Sequence, residues 1–459
     1  MASKKFDLIV IGSGSGLNVA AQAANAGLKV AVIEKGPLGG TCLNRGCIPS
    51  KILIHSAEVA ETIRNAGKFG IKVNGFEVDF ASIVERASKI VDEDSKNIEK
   101  SIKEAENYTL FKQEAKFVGN KILQVGNEQI TSDRIVIAAG TRSMVPPIAG
   151  LKEVEFMTSD EALRITKLPK SMIIIGGGYI AAELAHFFGA LGCEITIIEF
   201  NDYMLTSADA EIYKKFTEVF SKKYKVILGH AVSKVYKEGE MFVVDAQNKN
   251  TKEIVKFSAE KLLIATGRVP NSDILDVAKS RIATDRKGYI ATNEFLETNV
   301  QGVWAFGDIA GKFLFKHSAN LEAEVVSQNM LYPKSKSPAD YFAMPWAVFS
   351  SPQIAGVGKT QEQLVAEKVD FAVGKYFYKD IAMGIAMQEE DGFVKVLVDR
   401  PSKKILGAFI IGPEASTLIH EIIVAMRCGE GTVDNIWNSV HIHPALPEVV
   451  QRAFSHIDW

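Results

Sequence analysis

Phe6-Asp7-Leu8-Ile9-Val10-Ile11-Gly12-Ser13-Gly14-Ser15-Gly16-Leu17 is an apolar run that breaks into a glycine turn. Phe6 to Ile11 has the make-up of a strand buried on both faces. A helix-like stretch follows from Asn18 to Asn25, then a second apolar run, Lys29 to Ile33, that ends at Glu34. The order returns further on: a strand at Met172 to Ile175, the turn Gly176-Gly177-Gly178-Tyr179-Ile180-Ala181, a helix to about Ala190, and Ile195 to Ile198 ending at Glu199. The chain thus carries a strand, glycine turn, helix, strand and acid twice over.

A glycine turn between strand and helix lets backbone N–H groups and the helix N-terminus face a pyrophosphate. The acid closing the next strand accepts hydrogen bonds from a ribose diol. Glu34 stands 22 positions after Gly12 and Glu199 stands 23 after Gly176, the spacing that such Rossmann-like units use. Two complete units point to two dinucleotides, one on Gly12, Gly14, Gly16 and Glu34, the other on Gly176, Gly178 and Glu199. Ile135 to Arg142 and Leu262 to Arg268 echo each other too, each apolar run ending at a glycine, Gly140 or Gly267, as strands do near a ligand. Leu17 stands where the third fingerprint glycine of the first unit would fall, so its helix is expected to sit slightly further from its strand; the second unit has Ala181 there. Glu199 suits a 2′-hydroxyl and repels a 2′-phosphate, and Phe200, Asn201 and Asp202 bring no arginine, so NAD is expected over NADP at the second site.

Beyond the first unit lies Gly39-Gly40-Thr41-Cys42-Leu43-Asn44-Arg45-Gly46-Cys47-Ile48-Pro49-Ser50-Lys51. Two cysteines with four residues between them can close a small disulfide ring that two electrons reopen, within reach of a flavin held by the preceding turn. The chain has four cysteines among 459 residues, a scarcity that fits a reducing cytosol and a cytoplasmic protein. A disulfide there is usually transient and catalytic, so Cys42 and Cys47 read as redox-active.

Composition excludes other classes. A formal net charge of −2 gives no basic field for nucleic acid. No run of 18 apolar residues suggests a membrane span, and Met1 to Phe6, running straight into a strand, leaves no room for a signal peptide. No His/Cys cluster has metal-ligand spacing. From about residue 341 strand-like runs (Phe371 to Phe377, Phe393 to Val398, Ile405 to Ile411) precede a helix-like one (Thr417 to Arg427), which predicts a separate α+β domain. The expected fold is α/β: two Rossmann-like dinucleotide-binding domains and a C-terminal α+β domain. The expected divisions are 1–148 and 268–340 for the first nucleotide's domain, 149–267 for the second's and 341–459 for the last.

Together the motifs resemble the flavin-dependent pyridine nucleotide–disulfide oxidoreductases. Gly39 to Lys51 resembles their redox segment, Gly176 to Glu183 their NAD(P) turn, Ala305-Phe306-Gly307-Asp308 their second FAD motif, and His441 to Glu448 their C-terminal catalytic segment. The resemblance implies FAD in the first site, with Glu34 on the adenosine ribose and Asp308 on the ribityl or pyrophosphate, and NAD in the second. Cys47 would face the flavin and Cys42 would exchange with a substrate disulfide. Lys51, paired with Glu183, would lie by the reactive flavin edge, and Tyr179 would cover the nicotinamide pocket. His443, oriented by Glu448, would be the acid–base, supplied by the partner subunit of a homodimer whose last domain is the dimerisation domain.

The implied activity is oxidation of dihydrolipoamide by NAD, fitting Glu199 and the uncharged helix stretch Asn18 to Ala24; a 2-oxo acid dehydrogenase complex is then a candidate partner. Reduction of a low-molecular-weight disulfide of the mycothione kind is the alternative, supported by Leu314 to Asn320 and His443 to Val450. A flavoprotein with a purely binding or structural role is opposed by the complete set Cys42, Cys47, His443 and Glu448. Cys193 and Cys428 read as structural, and so does His317, as a residue at a flavin-adjacent helix start. His55, His186, His230, His420 and His456 read as structural or solvated, and only the five-residue step to Glu448 favours His443 over His441.

Overall fold

The computed structural model describes residues 3–459; Met1 and Ala2, which open the segment read as running into the first strand, lie outside them. In the first unit β1 (Leu8–Ile11) leads into α1 (Gly16–Asn25) and β2 (Val30–Ile33). The chain continues through α2 (Gly40–Arg45), α3 (Cys47–Asn65), α4 (Phe80–Glu104), β3 (Tyr108–Phe111) and β4 (Ile135–Ile137). These strands and Val303–Ala305 form one parallel sheet, in the order Val303–Ala305, β4, β1, β2, β3. All four residues of both β1 and β2 are buried, as the unbroken apolar runs require.

The expected strand from Phe6 to Ile11 is broken at Asp7. Lys4–Phe6 pairs with Glu128–Ser132 in a neighbouring sheet, and only Leu8–Ile11 enters the parallel one. Asp7 turns the chain because it holds Lys29 twice: its carboxylate accepts the Lys29 N–H at 2.8 Å and its own N–H donates to the Lys29 carbonyl at 3.0 Å.

The second unit repeats the first. β5 (Ser171–Ile175), α5 (Tyr179–Ala190), β6 (Glu194–Ile198), α6 (Ala210–Lys223), β7 (Lys225–Ile227) and β8 (Lys261–Ile264) form a parallel sheet ordered β8, β5, β6, β7. That order matches β4, β1, β2, β3, and in both units an antiparallel three-stranded meander precedes the last strand. The repeat extends to single bonds. Gly12 N–H donates to Ile33 and Gly176 N–H to Ile198, both at 2.9 Å, while Ala138 and Ala265 donate to Ile11 and Ile175, both at 2.8 Å. The two segments that echo each other in sequence are joined, Thr141–Ser143 pairing antiparallel with Arg268–Pro270. Both chain crossings between the units run through this ribbon.

α7 (Lys316–Leu331) returns to the first unit, where its Ala323 and Val326 share a core with Val19 and Ala23 of α1. The C-terminal part is a five-stranded antiparallel sheet of β9 (Pro345–Val348), β10 (Ile354–Gly358), β11 (Phe371–Phe377), β12 (Phe393–Asp399) and β13 (Ile405–Ile411), ordered β9, β10, β13, β12, β11. α8 (Ala415–Arg427) and α9 (Glu448–Ser455) pack on it, giving the expected α+β arrangement. Among the described residues no helix is long and apolar enough to cross a membrane.

Candidate active site

Each glycine turn is forced by crowding. Gly12 has φ +102°, and a Cβ there would lie 2.3 Å from the Ala138 carbonyl oxygen; Gly176 has φ +107°, with its Cβ position 2.4 Å from that of Ala265. The close approach expected to be lost with Leu17 is kept one residue earlier. A Cβ on Gly16 would sit 3.0 Å from Val10 and 3.2 Å from Ala138, so α1 still lies tight on its strand, while Leu17 packs half-buried against the same core. Gly14 and Gly178 have no such crowding: the Gly178 Cβ position meets nothing within 4 Å, and that of Gly14 meets only the Gly40 Cα, at 3.8 Å. Gly140 and Gly267, at φ +64° and +118°, end their strands in left-handed turns; a Cβ on Gly140 would meet nothing within 4 Å, and one on Gly267 only the end of the Met144 side chain, at 3.8 Å.

Glu34 and Glu199 brace their turns. Glu34 accepts from the Ser13 N–H at 3.0 Å, the Ser13 hydroxyl at 2.7 Å and the Gly36 N–H at 2.9 Å. Glu199, buried, accepts from the Gly177 N–H and from both the backbone and side-chain nitrogens of Asn201. Open turns, helix N–H groups with no intrahelical acceptor and an acid at each strand end fit two dinucleotides, FAD on the first and a nicotinamide dinucleotide on the second.

Cys42 projects from α2, and Cys47 is the first residue of α3. Both are free thiols, half-buried and exposed respectively. The Cys42 thiol donates to Cys47, which with the Lys51 charge brings the Cys47 pKa down to about 7 against the desolvation of the sulfur itself, although the residue as a whole is exposed. A helix N-terminus favours the same anion. That hydrogen bond and burial push the Cys42 thiol well up. Lys51, one turn further along α3, bonds both carboxylate oxygens of Glu183 from α5, at 2.8 and 2.7 Å, and lies 4.5 Å from the centre of the Phe349 ring. Glu183 also accepts the Phe349 N–H at 3.0 Å, so one carboxylate ties α3, α5 and the start of the C-terminal part together. Tyr179, at the start of α5, is 39% exposed, and burial of its hydroxyl pushes that pKa up to about 12.

Asp308 accepts from the Thr141 hydroxyl at 2.9 Å, which in turn accepts from the Arg268 Nε at 2.7 Å; burial raises the Asp308 pKa. Neither Thr141 nor Arg268 was singled out from sequence, although both lie in the echoed segments. Glu322, also missed, holds the motif from behind, accepting from the Gly307 N–H and the Tyr341 hydroxyl, each at 2.6 Å.

His443 lies in the loop before α9. Its Nδ1 is 2.9 Å from Glu448, whose pKa the imidazole holds down, and Glu448 also accepts the Ala445 N–H at 3.2 Å. The imidazole is 72% exposed. Val440 and Ile442 beside it are 100% and 78% exposed. His441, by contrast, is turned inward onto Glu421 and the Ser439 carbonyl. His317 binds the Pro345 carbonyl at 2.8 Å. His186 is fully buried between α5 and α3, 3.8 Å from Glu61, and burial holds its pKa low. Cys193 is buried and Cys428 is exposed. Among the described residues no cluster of three or more metal-ligating side chains occurs.

The pyridine nucleotide-disulphide oxidoreductase model matches residues 6–329, and its dimerisation-domain model matches residues 344–454. The chain belongs to this family. Members use FAD and NAD(P)H as cofactors. The sequence is 36% identical to mycothione reductase of Mycobacterium tuberculosis over 464 aligned residues, covering 98% of each chain. It is 34% identical to dihydrolipoyl dehydrogenase of Chlamydia muridarum over 454, covering 97% of this chain and 96% of that one. The flavoprotein disulfide reductase RclA of Escherichia coli, solved as a Cu(II) complex, superposes with a TM-score of 0.87 at 27% identity over 98% of this chain and 99% of that one. Relatives on both sides of the choice left open by sequence are thus equally near, and the substrate is not fixed by likeness.

Proposed function

We propose that the protein is a homodimeric dithiol–disulfide oxidoreductase in which Cys42 exchanges with the substrate and Cys47 with the flavin. The observation that carries this reading is the Cys42–Cys47 pair placed beside the Lys51–Glu183 ion pair, between two dinucleotide turns. Bound FAD supplies the two-electron exchange that links the cysteine pair to a nicotinamide dinucleotide. Lys51 favours the Cys47 thiolate, and Glu183 holds Lys51 in place. His443, held by Glu448, takes the proton of an incoming thiol, since the thiolate is what attacks sulfur. The exposed imidazole with its apolar neighbours Val440 and Ile442 supports its being supplied across the dimer. In the dithiol-oxidising direction, a substrate thiolate attacks Cys42 of the Cys42–Cys47 disulfide and releases Cys47 as thiolate. The second substrate thiolate then attacks the mixed disulfide, releasing the oxidised substrate and leaving both cysteines reduced.

Dihydrolipoamide with NAD is the favoured substrate pair. It rests on Glu199, buried at the end of β6 where a 2′-phosphate would have to sit, and on the uncharged stretch from Asn18 to Ala24. Reduction of a mycothione-type disulfide is the second reading, consistent with the likeness to mycothione reductase and with Leu314 to Asn320 and His443 to Val450. Steady-state turnover with dihydrolipoamide, lipoamide, a mycothiol-type disulfide and coenzyme A disulfide, each with the NAD(H) and NADP(H) couples, decides between them. A dihydrolipoamide–NAD rate at least tenfold above every other pair is expected; preference for another disulfide with NADPH would overturn the substrate assignment.

A further inference from the structure

We propose that Asp202 sets the dinucleotide choice at the second site by holding Lys249, the cation a 2′-phosphate would need, in an ion pair. Asp202 acts through the lysine and is a positioning residue. The proposal rests on the reading of NAD at that site and deepens it.

Phe200, Asn201 and Asp202, which follow Glu199 in the chain, bring no cation, but the fold brings one from a distant turn. Lys249 opens the turn between Met241–Asn248 and Ile254–Ala259, the last two strands of the second unit's meander. Its N–H donates to the Gly229 carbonyl at 2.8 Å, and the Gly229 N–H donates to the Asn201 carbonyl at 2.9 Å. The His230 N–H donates to the Glu199 carbonyl at 3.0 Å, so this turn is laced to the loop after Glu199. The Lys249 Nζ lies 2.7 Å from the Asp202 carboxylate and 5.9 Å from the centre of the exposed Phe200 ring. Gly229 leaves room for the pair: a Cβ there would lie 3.3 Å from the Asp202 Oδ1 and 3.7 Å from the Lys249 Cε. The other basic side chains at this turn have partners of their own. Lys252 donates to the Lys249 carbonyl at 2.7 Å, and the His230 Nδ1 lies 2.7 Å from the Leu228 carbonyl.

Charge decides what this loop accepts. A 2′-phosphate on a ribose held by Glu199 meets that carboxylate and, three residues on, Asp202. Like charges brought together suppress the wrong partner, whereas an ammonium and a phosphate make a charge-assisted hydrogen bond. Lys249 would offset one carboxylate, but its charge is already matched by Asp202. Glu199 is itself committed, accepting from the Gly177 N–H and from both nitrogens of Asn201. The side chains of Lys249 and Asp202 are 26% and 66% exposed, and an exposed ion pair is held weakly, so one substitution is enough to release the lysine. Loss of the aspartate charge removes one repulsion and frees Lys249 to turn to a phosphate. NAD carries a hydroxyl in that place and gains from neither change.

The test is calorimetric titration of NAD+ and NADP+ into oxidised, FAD-loaded enzyme, read as the ratio of the two Kd values. Asp202→Asn is expected to lower the ratio of the NADP+ Kd to the NAD+ Kd about tenfold. Adding Lys249→Met to Asp202→Asn is expected to return the ratio to within about threefold of wild type. An unchanged ratio in Asp202→Asn would overturn the proposal. So would a gain that survives in the double variant, which would make loss of a carboxylate, and not release of Lys249, the cause. Should the asparagine variant fail to retain FAD, Asp202→Ser gives the same comparison. Tighter binding of NADP+ than of NAD+ by the wild-type enzyme would instead remove the NAD reading on which the proposal rests.

Discussion

At the residue scale the site turns on how one sulfur is kept anionic near neutrality. Cys47 owes its low pKa to a donated Cys42 hydrogen bond and to Lys51, with burial opposing both. Because the pKa is lowered to about 7, the thiolate is present above that pH and lost below it. A long-wavelength thiolate-to-flavin absorbance in the two-electron-reduced enzyme should therefore rise with pH, with a midpoint near 7. Lys51→Met should move that midpoint up by about one pH unit or more, since an opposite charge at this range is worth that much; an anaerobic absorbance titration measures it. His443→Gln should cut dithiol turnover by about 10²–10⁴-fold, the usual worth of a general base, while leaving NADH-driven reduction of a flavin-accessible dye within about twofold. Both activities can be followed in one stopped-flow series.

At the element scale, the turns were legible in the sequence because crowding leaves glycine no substitute at Gly12 and Gly176. The C-terminal strands were legible for a different reason: apolar runs such as Ile405–Ile411 lie in a buried sheet. What the linear pattern hid was long-range bonding. The break at Asp7 depends on Lys29, and Thr141, Arg268 and Asp308 meet only because two distant segments pair. Gly16 took the packing role expected for position 17 through Ala138, a contact that fingerprint spacing does not encode. Also hidden was an ion cluster between the second unit and the C-terminal sheet. Lys395 of β12 binds Asp209 at 2.9 Å and Glu211 at 3.0 Å, and the side chains of Lys395 and Asp209 are 1% and 0% exposed. Asp209 also caps α6 through the Glu211 N–H and accepts the Gln361 N–H at 3.1 Å. Asp209→Ala leaves a buried ammonium short of its main partner and should cost about 3–5 kcal/mol, measurable by urea denaturation of the FAD-loaded protein. Lys395→Met with Asp209→Leu should recover much of that loss, because burying a matched apolar pair avoids desolvating two charges.

At the scale of the whole molecule, Cys47 opens the helix of the first unit that is tied to the second unit through Lys51 and Glu183, and His443 lies in the loop before α9 of the C-terminal part, its imidazole open to solvent. An exposed catalytic-type histidine flanked by exposed Val440 and Ile442 makes sense if a second copy covers it. Mixing inactive Cys47→Ser and inactive His443→Gln subunits, with unfolding and refolding to exchange them, should then restore roughly a quarter of wild-type activity. Half of the dimers are mixed, and each mixed dimer has one intact site out of two. Zero recovery in demonstrably mixed dimers would place both residues in one chain's site.

The central claim is that Cys42 and Cys47 accept and return two electrons beside the flavin. Anaerobic addition of one equivalent of NADH to FAD-loaded protein tests it most directly. A long-wavelength band should appear with the flavin still oxidised, two thiols should become alkylatable, and Cys47→Ser should show neither the band nor turnover with any dithiol while still binding FAD. Bleaching of the flavin at the first equivalent, with no band and no new thiols, would contradict the account.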